Sequence, residues 1–407
     1  MYLCMRESTK VIEEVPGLNV LIVGGGIGGL TAALCLARDG NKVSVFEQSP
    51  VFGEVGAGLQ LSPNCTRVLH DLGLEQSMLR TAFLPEGTQF KQWDNGKVIG
   101  QSMLGASAVA RYGYPYYHMH RQDLMKVLVE AVEEDSNIEL HTNLRVQGFT
   151  QNDQGVSLIV GDTNYPGDLL VGADGIHSVI SARLWGEVKP RFTGNIAWRA
   201  LVPAERLPTD TILPMSTAWW GPGKHFVHYY VRSGDLINCV CVVEKKGWAV
   251  ESWSERGDYN ELKSDFTGWH SDIQQLIDHA DRDSLFKWAL YDRAPMSRWG
   301  KGRVTLLGDA SHPTLPFMAQ GAAMAIEDAA VLAGCLSDRN DIPQALARYE
   351  DLRRDRTAGI QRGSRRNATV FHLSGVKAWL RNRALKTAQN RTMDGLFGYN
   401  AFKASGR

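Results

Sequence analysis

Residues 18–47 read LNVLIVGGGIGGLTAALCLARDGNKVSVFE and decide the fold. Residues 18–23 form a short apolar run, which is typical of a strand buried on both faces of a parallel sheet. A cluster of glycines follows, and residues 30–38 then have the composition of a helix. Residues 43–46 are again mostly apolar. The stretch therefore predicts a strand, a tight turn, a helix and a second parallel strand.

The glycines of this stretch include Gly28 and have the spacing Gly24-x-Gly26-x-x-Gly29. An acid, Glu47, ends the second strand eighteen residues after Gly29. A strand before the glycines, a helix after them and this acid together make the dinucleotide-binding fingerprint. The glycines allow a tight turn and a close approach of a pyrophosphate to the helix N-terminus, and Glu47 would accept hydrogen bonds from ribose hydroxyls. The alternative is a glycine-rich turn that serves packing alone.

Composition excludes several other classes of protein. The 407 residues include 44 Lys+Arg and 44 Asp+Glu, so the net charge is zero, which argues against a nucleic-acid-binding protein. The six cysteines have no C-x-x-C spacing, so we predict no metal site and expect buried thiols in a reducing cytosol. The most apolar window contains five glycines and the first 17 residues lack a signal-peptide core. We therefore predict a cytoplasmic protein that has no membrane segment.

The character of the chain changes near residue 190, where short aromatic-rich β runs begin and continue to about residue 244. Residues 253–285 have a helical pattern, and residues 303–308 form another buried strand. We therefore predict an α/β fold in which an antiparallel-sheet substrate domain is inserted into a Rossmann-like dinucleotide-binding domain. The predicted units are residues 18–189 with 290–345 for the dinucleotide-binding domain, 190–289 for the substrate domain and 346–407 for a C-terminal helical segment.

Two further buried strands end in acids that could contact a ligand. Asp174 lies in Gly172-Ala173-Asp174-Gly175, where a simple β-turn is an equally good interpretation. Asp309 lies in Gly308-Asp309-Ala310-x-His312-Pro313 and could bind a ribityl hydroxyl. Gly321 and Ala322 then begin a helix, whose N–H groups can stabilise an anion such as a reduced flavin. Arg121 stands at another helix start, where a surface position is the alternative.

These motifs, together with Gly56-Ala57-Gly58 and His120-Arg121-x-Asp123-Leu124, resemble those of the FAD-dependent aromatic-ring hydroxylases, which are single-component flavoprotein monooxygenases. The resemblance runs in order over roughly residues 20–352. Within the family it is strongest to the salicylate 1-hydroxylases, 3-hydroxybenzoate 6-hydroxylases and 6-hydroxynicotinate 3-monooxygenases. The loop Phe52-Gly53-Glu54-Val55, Trp219-Trp220 and Met318-Ala319-Gln320 belong to the matching segments.

The resemblance implies a fold like that of para-hydroxybenzoate hydroxylase, with FAD as cofactor and NADH or NADPH as a transient co-substrate. It implies O2-dependent hydroxylation of a small phenolic acid such as salicylate, through a flavin C4a-hydroperoxide, by a monomer or homodimer. The family pattern carries FAD contacts to Gly28, Glu47, Gln48, Arg121, Leu144, Asp309 and Ala322. The motif analysis adds Gly24, Gly26, Gly29, Asp174 and Gly321 to the predicted cofactor-binding residues.

Activation of a phenol requires a base, for which His225 and Tyr229 are the candidates. They are four residues apart on a predicted strand and therefore share a face, and His225 could accept the proton directly or through Tyr229. The alternative for His225 is a hydrogen-bonded core histidine. His312 could be catalytic or could cap the Asp309 loop, so it stays outside the predicted catalytic set.

Several alternatives remain at this level. The substrate could be 3-hydroxybenzoate or 6-hydroxynicotinate, although Gln60 and Phe317 replace two histidines of the pyridine hydroxylases and Pro316 replaces a glutamine of the 3-hydroxybenzoate enzymes. The enzyme could hydroxylate or epoxidise a larger aromatic metabolite on the same scaffold. A flavin-binding protein with a regulatory role is a third possibility, but the flavin motifs at Asp309 and Gly321-Ala322 are intact.

Overall fold

The computed structural model describes residues 17–52, 57–245, 247, 255–337 and 341–406. The strands are β1 (Asn19–Val23), β2 (Lys42–Phe46), β3 (Gly58–Leu61), β4 (Gly87–Gln92), β5 (Val98–Met103), β6 (Tyr117–His120), β7 (Ile138–His141), β8 (Gly148–Gln151), β9 (Val156–Val160), β10 (Thr163–Gly167), β11 (Leu169–Gly172), β12 (Arg191–Pro203), β13 (Met215–Gly221), β14 (Lys224–Val231), β15 (Leu236–Glu244), β16 (Phe286–Asp292) and β17 (Val304–Leu306). The helices are α1 (Ile27–Ala37), α2 (Pro63–Asp71), α3 (Glu75–Leu79), α4 (Gly105–Tyr112), α5 (Arg121–Glu134), α6 (Val179–Trp185), α7 (Tyr259–Asp265), α8 (Ser271–Asp278), α9 (Gly321–Leu336), α10 (Ile342–Phe371), α11 (Gly375–Phe397) and α12 (Ala401–Ser405).

A parallel sheet of five strands, in the order β17-β11-β1-β2-β7, forms the centre of the dinucleotide-binding part. Its central strand β1 is buried along four of its five residues, as its apolar sequence predicts. The carboxyl ends of parallel strands meet at one edge of a sheet. The loops after β1, β2, β11 and β17 therefore lie side by side, and they carry the glycine motif and the three predicted strand-end acids.

The second large sheet has seven strands in the order β16-β12-β15-β14-β13-β4-β5. Its pairs are antiparallel except that β13 pairs with β4 in parallel. Strands β4 and β5 come from residues 87–103, and β16 extends to Asp292. The range 190–289 therefore does not contain the whole sheet. This contribution was not predicted from the sequence, because the β4–β13 pairing joins segments that are far apart in the chain.

Each face of the seven-stranded sheet has its own apolar cluster. One face packs on α7 and α8 through residues such as Trp219 and Phe226. The opposite face carries Trp220 and packs against Phe317, from the segment before α9, and Phe371, from the end of α10. The adjacent residues Trp219 and Trp220 therefore lie on opposite faces of the sheet.

Two helical regions of the chain are each divided into shorter helices. Residues 63–79 form two short helices, α2 and α3, because Gly73 adopts a φ of +79° between them. The region 253–285, predicted to be helical, contains the two short helices α7 and α8. Its first two residues, 253–254, lie outside the described part, as do residues 53–56 of the loop after β2. None of the described helices combines the length and the apolar character that crossing a membrane requires.

Candidate active site

The glycines of the motif differ in the space that surrounds their Cβ positions. Gly24 has a φ of +106°, and a Cβ atom there would lie 2.3 Å from the carbonyl oxygen of Ala173. A Cβ atom on Gly29 would lie 1.9 Å from the carbonyl oxygen of Gly24. Around Gly26, in contrast, no heavy atom lies within 4 Å of the Cβ position. Gly26 is the N-cap of α1, so this free space borders a helix N-terminus and fits a pyrophosphate.

Gly28 serves the packing of two helices. A Cβ atom at this position would lie 2.7 Å from Cδ2 of Leu307 and 3.1 Å from Cβ of Ala325. Ala325 belongs to α9, so glycine lets α1 approach α9 closely. The structure therefore gives Gly28 a packing role, and a direct contact with the cofactor stays a prediction.

Glu47 follows β2 and is fixed against the glycine turn. Its Oε2 accepts a hydrogen bond from the Gly25 N–H at 2.8 Å, and its Oε1 accepts one from the Ser49 N–H at 2.8 Å. The N–H of Leu144 donates to the Glu47 carbonyl oxygen at 3.0 Å, and the Gln48 side chain is exposed next to it. The structure thus brings Glu47, Gln48 and Leu144 together at the turn, where each carboxylate oxygen keeps capacity for a ribose hydroxyl.

Asp309 lies at the other end of the predicted cofactor site. Solvent reaches its side chain, but the surrounding protein raises the pKa of its carboxyl by desolvation, which the charges of His312 and Arg121 partly offset. Arg121, the first residue of α5, is therefore close enough to act on Asp309. This combination fits a carboxylate on the floor of a cleft, where it can accept a hydrogen bond from a ribityl hydroxyl.

The first turn of α9 contains Gly321 and Ala322, the predicted anion-stabilising residues. Gly321 and Ala322 are both half-buried, and the first N–H groups of a helix have no partner within it. Ala319, two residues before α9, has a φ of +50°, so the chain turns sharply into the helix. The first N–H groups of α9 point out of this helix end, where they would stabilise an anion such as a reduced flavin.

Asp174 has a structural task. Its Oδ1 accepts a hydrogen bond from the Ser178 hydroxyl at 2.5 Å, and its Oδ2 accepts bonds from the N–H groups of Val179 and Ile180 at 2.7 and 3.2 Å. The carboxylate therefore caps the start of α6. This agrees with the turn interpretation of the segment, and a contact between Asp174 and the cofactor stays a prediction.

A buried ionic network supports the Asp309 loop. Asp328 of α9 accepts hydrogen bonds from Arg353 Nε and from the Gly308 N–H, at 2.6 and 3.1 Å, and its Oδ2 lies 2.6 Å from His312 Nε2. Burial would raise the pKa of Asp328, but His312 and Arg353 outweigh burial and lower it to about 2. His312 is therefore engaged under the loop, which supports its interpretation as a structural cap.

Glu327 extends this network toward α2. It accepts hydrogen bonds from Arg356 at 2.8 and 2.7 Å and from the Asn64 side chain at 2.6 Å. Arg353 Nη2 lies 2.6 Å from its Oε2, and Gln320, which precedes α9, donates to Ser62 at 2.9 Å. These partners were not predicted from the sequence. Two adjacent acids in an otherwise apolar helix were the available signal, because buried carboxylates require cations.

The two predicted catalytic residues, His225 and Tyr229, lie with Val227 on one face of the seven-stranded sheet. Val227 pairs with Val240 of β15 on this face. Both valines are only half-buried, although they lie at the centre of the sheet, whereas Phe226 on the other face is 1% exposed. Solvent therefore reaches the centre of this face.

His225 is 2% exposed and contacts the edges of two aromatic rings, those of Phe317 and Phe371, at centroid distances of 5.1 and 5.3 Å. Its Nδ1 lies 2.8 Å from Nε2 of His372. Burial and the charge of His372 hold the pKa of His225 well below its ordinary value. Nε2 has no hydrogen-bond partner among the described residues, so a neutral His225 can accept a proton there.

Tyr229 belongs to a separate network. Gln60 hydrogen-bonds to its hydroxyl and also accepts a hydrogen bond from Tyr116 at 2.7 Å. A four-residue separation along a strand is about 13 Å, so Tyr229 and His225 share a face without touching. The structure does not support passage of the proton from substrate to His225 through Tyr229.

Arg199 of β12 is a cation on the same face that the sequence analysis missed. It is 2% exposed, its guanidinium lies 4.9 Å from the centre of the Trp288 ring, and its charge lowers the pKa of Tyr229, although burial raises that pKa more. The available signal was an arginine in an otherwise apolar strand with a buried face.

Comparison with known proteins agrees with this geometry. Residues 17–364 match the model of the FAD binding domain family. The chain is 39% identical to 3-amino-4-hydroxybenzoate 2-monooxygenase PtnB3 of Streptomyces platensis over 91% of this chain and 93% of the relative. It is 37% identical to 3-hydroxybenzoate 6-hydroxylase of Polaromonas naphthalenivorans over 94% and 96%. A substrate complex of salicylate hydroxylase superposes with a TM-score of 0.80, at 25% identity, over 96% of this chain and 97% of that structure.

The match therefore covers nearly all of the site described above, from the glycine turn to the network around α9. The predicted fold class and the predicted resemblance are both confirmed. The residues of the predicted site fit FAD, since Gly26 leaves space at the N-terminus of α1 and Asp309 is a solvent-accessible acid within the range of the charge of Arg121. The chain belongs to the FAD binding domain family and is an FAD-dependent monooxygenase that acts on aromatic rings.

Proposed function

We propose that the substrate is a small aromatic acid that carries a ring hydroxyl and a carboxylate at separate edges of the ring, as in 3- or 4-hydroxybenzoate. The observation that carries the proposal is the placement of a buried histidine and a buried arginine on one sheet face. His225 and Arg199 lie on this face, with the half-buried pair Val227 and Val240 between them.

His225 would act as the base for the ring hydroxyl. Its Nε2 accepts the phenolic proton, and the phenolate then donates electron density to the ring carbon that is hydroxylated. FAD, reduced by NADH or NADPH, supplies the activated oxygen. Phe317 and Phe371 surround the imidazole and exclude water from it.

Arg199 would bind the carboxylate. Arg199 pairs with Val240, and Val240 pairs with Val227, so Arg199 lies two strands from β14, a distance of about 10 Å between backbones. His225 is two residues from Val227 on β14, and the side chains of His225 and Arg199 project from the same face of the sheet. A ring whose hydroxyl and carboxylate are meta or para can span these groups better than salicylate, whose two groups are adjacent. The named substrates of two relatives, 3-amino-4-hydroxybenzoate and 3-hydroxybenzoate, have this separation.

Substrate-stimulated NADH oxidation with product identification tests the proposal. The panel contains salicylate, 3- and 4-hydroxybenzoate, 3-amino-4-hydroxybenzoate and 6-hydroxynicotinate, together with the methyl esters of the benzoates. We expect coupled hydroxylation of a meta- or para-hydroxy acid and poor turnover of its ester. Faster coupled turnover of salicylate, or equal turnover of ester and acid, would contradict the proposed geometry.

Arg199→Met tests the anchor directly. It should raise KM for the acid by about 100-fold, because a buried charge-assisted pair contributes about 2–5 kcal/mol, and it should leave KM for the ester nearly unchanged. Arg191→Met is the matched control, since Arg191 lies on the same strand with 72% of its side chain exposed. An equal effect of Arg199→Met on acid and ester would show that Arg199 supports packing only.

A further inference from the structure

The hydrogen bonds of His225 continue to the protein surface through two more side chains. His225 Nδ1 lies 2.8 Å from His372 Nε2, and His372 Nδ1 lies 2.7 Å from Glu244 Oε1. The His372 side chain is 2% exposed, whereas that of Glu244 is 56% exposed. Three side chains therefore link the buried base to solvent without an intervening gap.

Two of these residues lie on paired strands of the seven-stranded sheet, and the third follows a helix that packs on it. His225 lies on β14, Glu244 ends the neighbouring strand β15, and His372 follows the last residue of α10. The His372 carbonyl oxygen accepts a hydrogen bond from the Gly223 N–H at 3.2 Å. Since this bond is made by the backbone, it fixes the position of His372 without using its ring.

We propose that His225, His372 and Glu244 form a proton relay that carries the phenolic proton of the substrate from the buried site to solvent. The proposal rests on the proposed function, in which His225 accepts that proton. The substrate O–H bond breaks as an N–H bond forms at His225 Nε2, and His225 passes its Nδ1 proton to His372 Nε2. His372 in turn passes its Nδ1 proton to Glu244, which releases it to water. The reverse transfers restore the starting tautomers when the product takes up a proton.

The surroundings of His225 and His372 favour proton transfer along the relay over a lasting positive charge on either imidazole. Burial lowers the pKa of both histidines, and each imidazole has one nitrogen to accept a proton and another to donate one. Arg381 of α11 is the neighbouring cation and further opposes a charge on His372, while Glu244 partly offsets both effects. Because Glu244 is negatively charged and exposed, it is the member of the relay that exchanges the proton with solvent.

Proton release tests the relay separately from turnover. The holoenzyme is mixed with 3-hydroxybenzoate and a pH indicator in weak buffer, and the release of protons to solvent is followed by stopped flow in H2O and D2O. We expect Glu244→Gln and His372→Gln to slow proton release at least about tenfold and to change its solvent isotope effect, with an unchanged Kd for the probe. Glu244→Asp should recover most of the rate, and added imidazole should partly recover it in His372→Gln.

Glu75→Gln is the matched control, because Glu75 is 48% exposed and lies 3.8 Å from His70, away from the substrate sheet. Wild-type rates of proton release in both Glu244→Gln and His372→Gln would overturn the relay and leave His225 as the base with another outlet. If the wild-type enzyme binds the probe and hydroxylates it but releases no proton, the relay is also wrong. If the wild-type enzyme hydroxylates no acid of the panel, the proposed function fails, and the relay fails with it.

Discussion

The Gly25 N–H donates a hydrogen bond of 2.8 Å to the carboxylate of Glu47, which joins the turn after β1 to the end of β2. The acid of the dinucleotide motif, which is predicted to bind a ribose, therefore also fixes the backbone of the turn. Substitutions in this motif should separate into those that remove only the cofactor and those that also destabilise the fold.

Gly26→Val should abolish FAD binding and leave the apoprotein folded. The Cβ position at Gly26 has no neighbour within 4 Å, so valine would occupy the space that the pyrophosphate needs without disturbing the protein. FAD fluorescence titration and the melting temperature of the apoprotein check both halves. Gly29→Val is the contrast, because its Cβ would lie 1.9 Å from the Gly24 carbonyl oxygen, and it should fail to fold. Retention of yellow, FAD-loaded protein by Gly26→Val would refute the placement of the cofactor.

Asp309→Ala should weaken FAD retention and turnover together, because this carboxylate is expected to bind the ribityl chain. Loss of a charged hydrogen-bonding group corresponds to about 1.5–3 kcal/mol, or roughly 10- to 150-fold in Kd. Equilibrium dialysis with FAD and NADH oxidation on the accepted substrate give the two readouts. Unchanged Kd and unchanged rate would show that Asp309 does not contact the cofactor.

His225→Ala should slow ring hydroxylation by about 10²–10⁴-fold with FAD binding intact, because the phenol would lose its base. Reduced enzyme would then form hydrogen peroxide, so the ratio of product to NADH consumed should fall. Tyr229→Phe is the companion variant, and we expect it to alter KM more than coupling, since the Tyr229 hydroxyl bonds to Gln60. Coupled turnover at the wild-type rate in His225→Ala would place the base elsewhere.

Asp328 should make the stability of the protein sensitive to acid. Its pKa is about 2 in the folded chain and near 3.8 when unperturbed, so its stabilising effect is complete above about pH 4 and is lost as the pH falls toward 2. Asp328→Asn should destabilise the protein by about 3–5 kcal/mol at neutral pH, because it leaves Arg353 without one of its buried partners. The difference in the free energy of unfolding between Asp328→Asn and wild type, measured with urea, should become smaller as the pH falls from 4 to 2.

Asp351→Asn is the control for this experiment, because Asp351 is 70% exposed and pairs with Arg354 at the surface. Exposed pairs contribute about 0–1 kcal/mol, so the urea midpoint should hardly move. The opposite result is that the free energies of unfolding of Asp328→Asn and wild type differ by the same amount from pH 7 to pH 2. That result would mean that Asp328 does not titrate as its contacts with His312 and Arg353 indicate.

Features encoded by neighbouring residues were predictable from the sequence. The glycine turn, Glu47 at the end of β2 and Asp309 after β17 follow from strand and turn patterns within about thirty residues. The shared face of His225 and Tyr229 follows from the alternation of a strand. In each case the local pattern and the final structure impose the same conformation.

Features that depend on distant partners were not predictable in this way. His372 is 147 residues from His225 in the chain, and nothing in the end of α10 indicates that the two rings meet. The pairing of β4 with β13 likewise depends on residues that are far apart in the chain. A single sequence shows which residues need partners, such as Glu327 and Asp328, but it does not identify those partners.

The parallel pairing of β4 with β13 joins Gly87 to Met215, which are 128 positions apart. A ribosome therefore synthesises the β4–β5 hairpin long before its partner strand exists. All seven residues of β13 are buried, so a fragment that lacks the hairpin would expose an apolar strand edge, the kind of surface through which sheets self-associate. Substitutions that loosen the hairpin should consequently appear first as insoluble protein during expression, before any effect on hydroxylation can be measured.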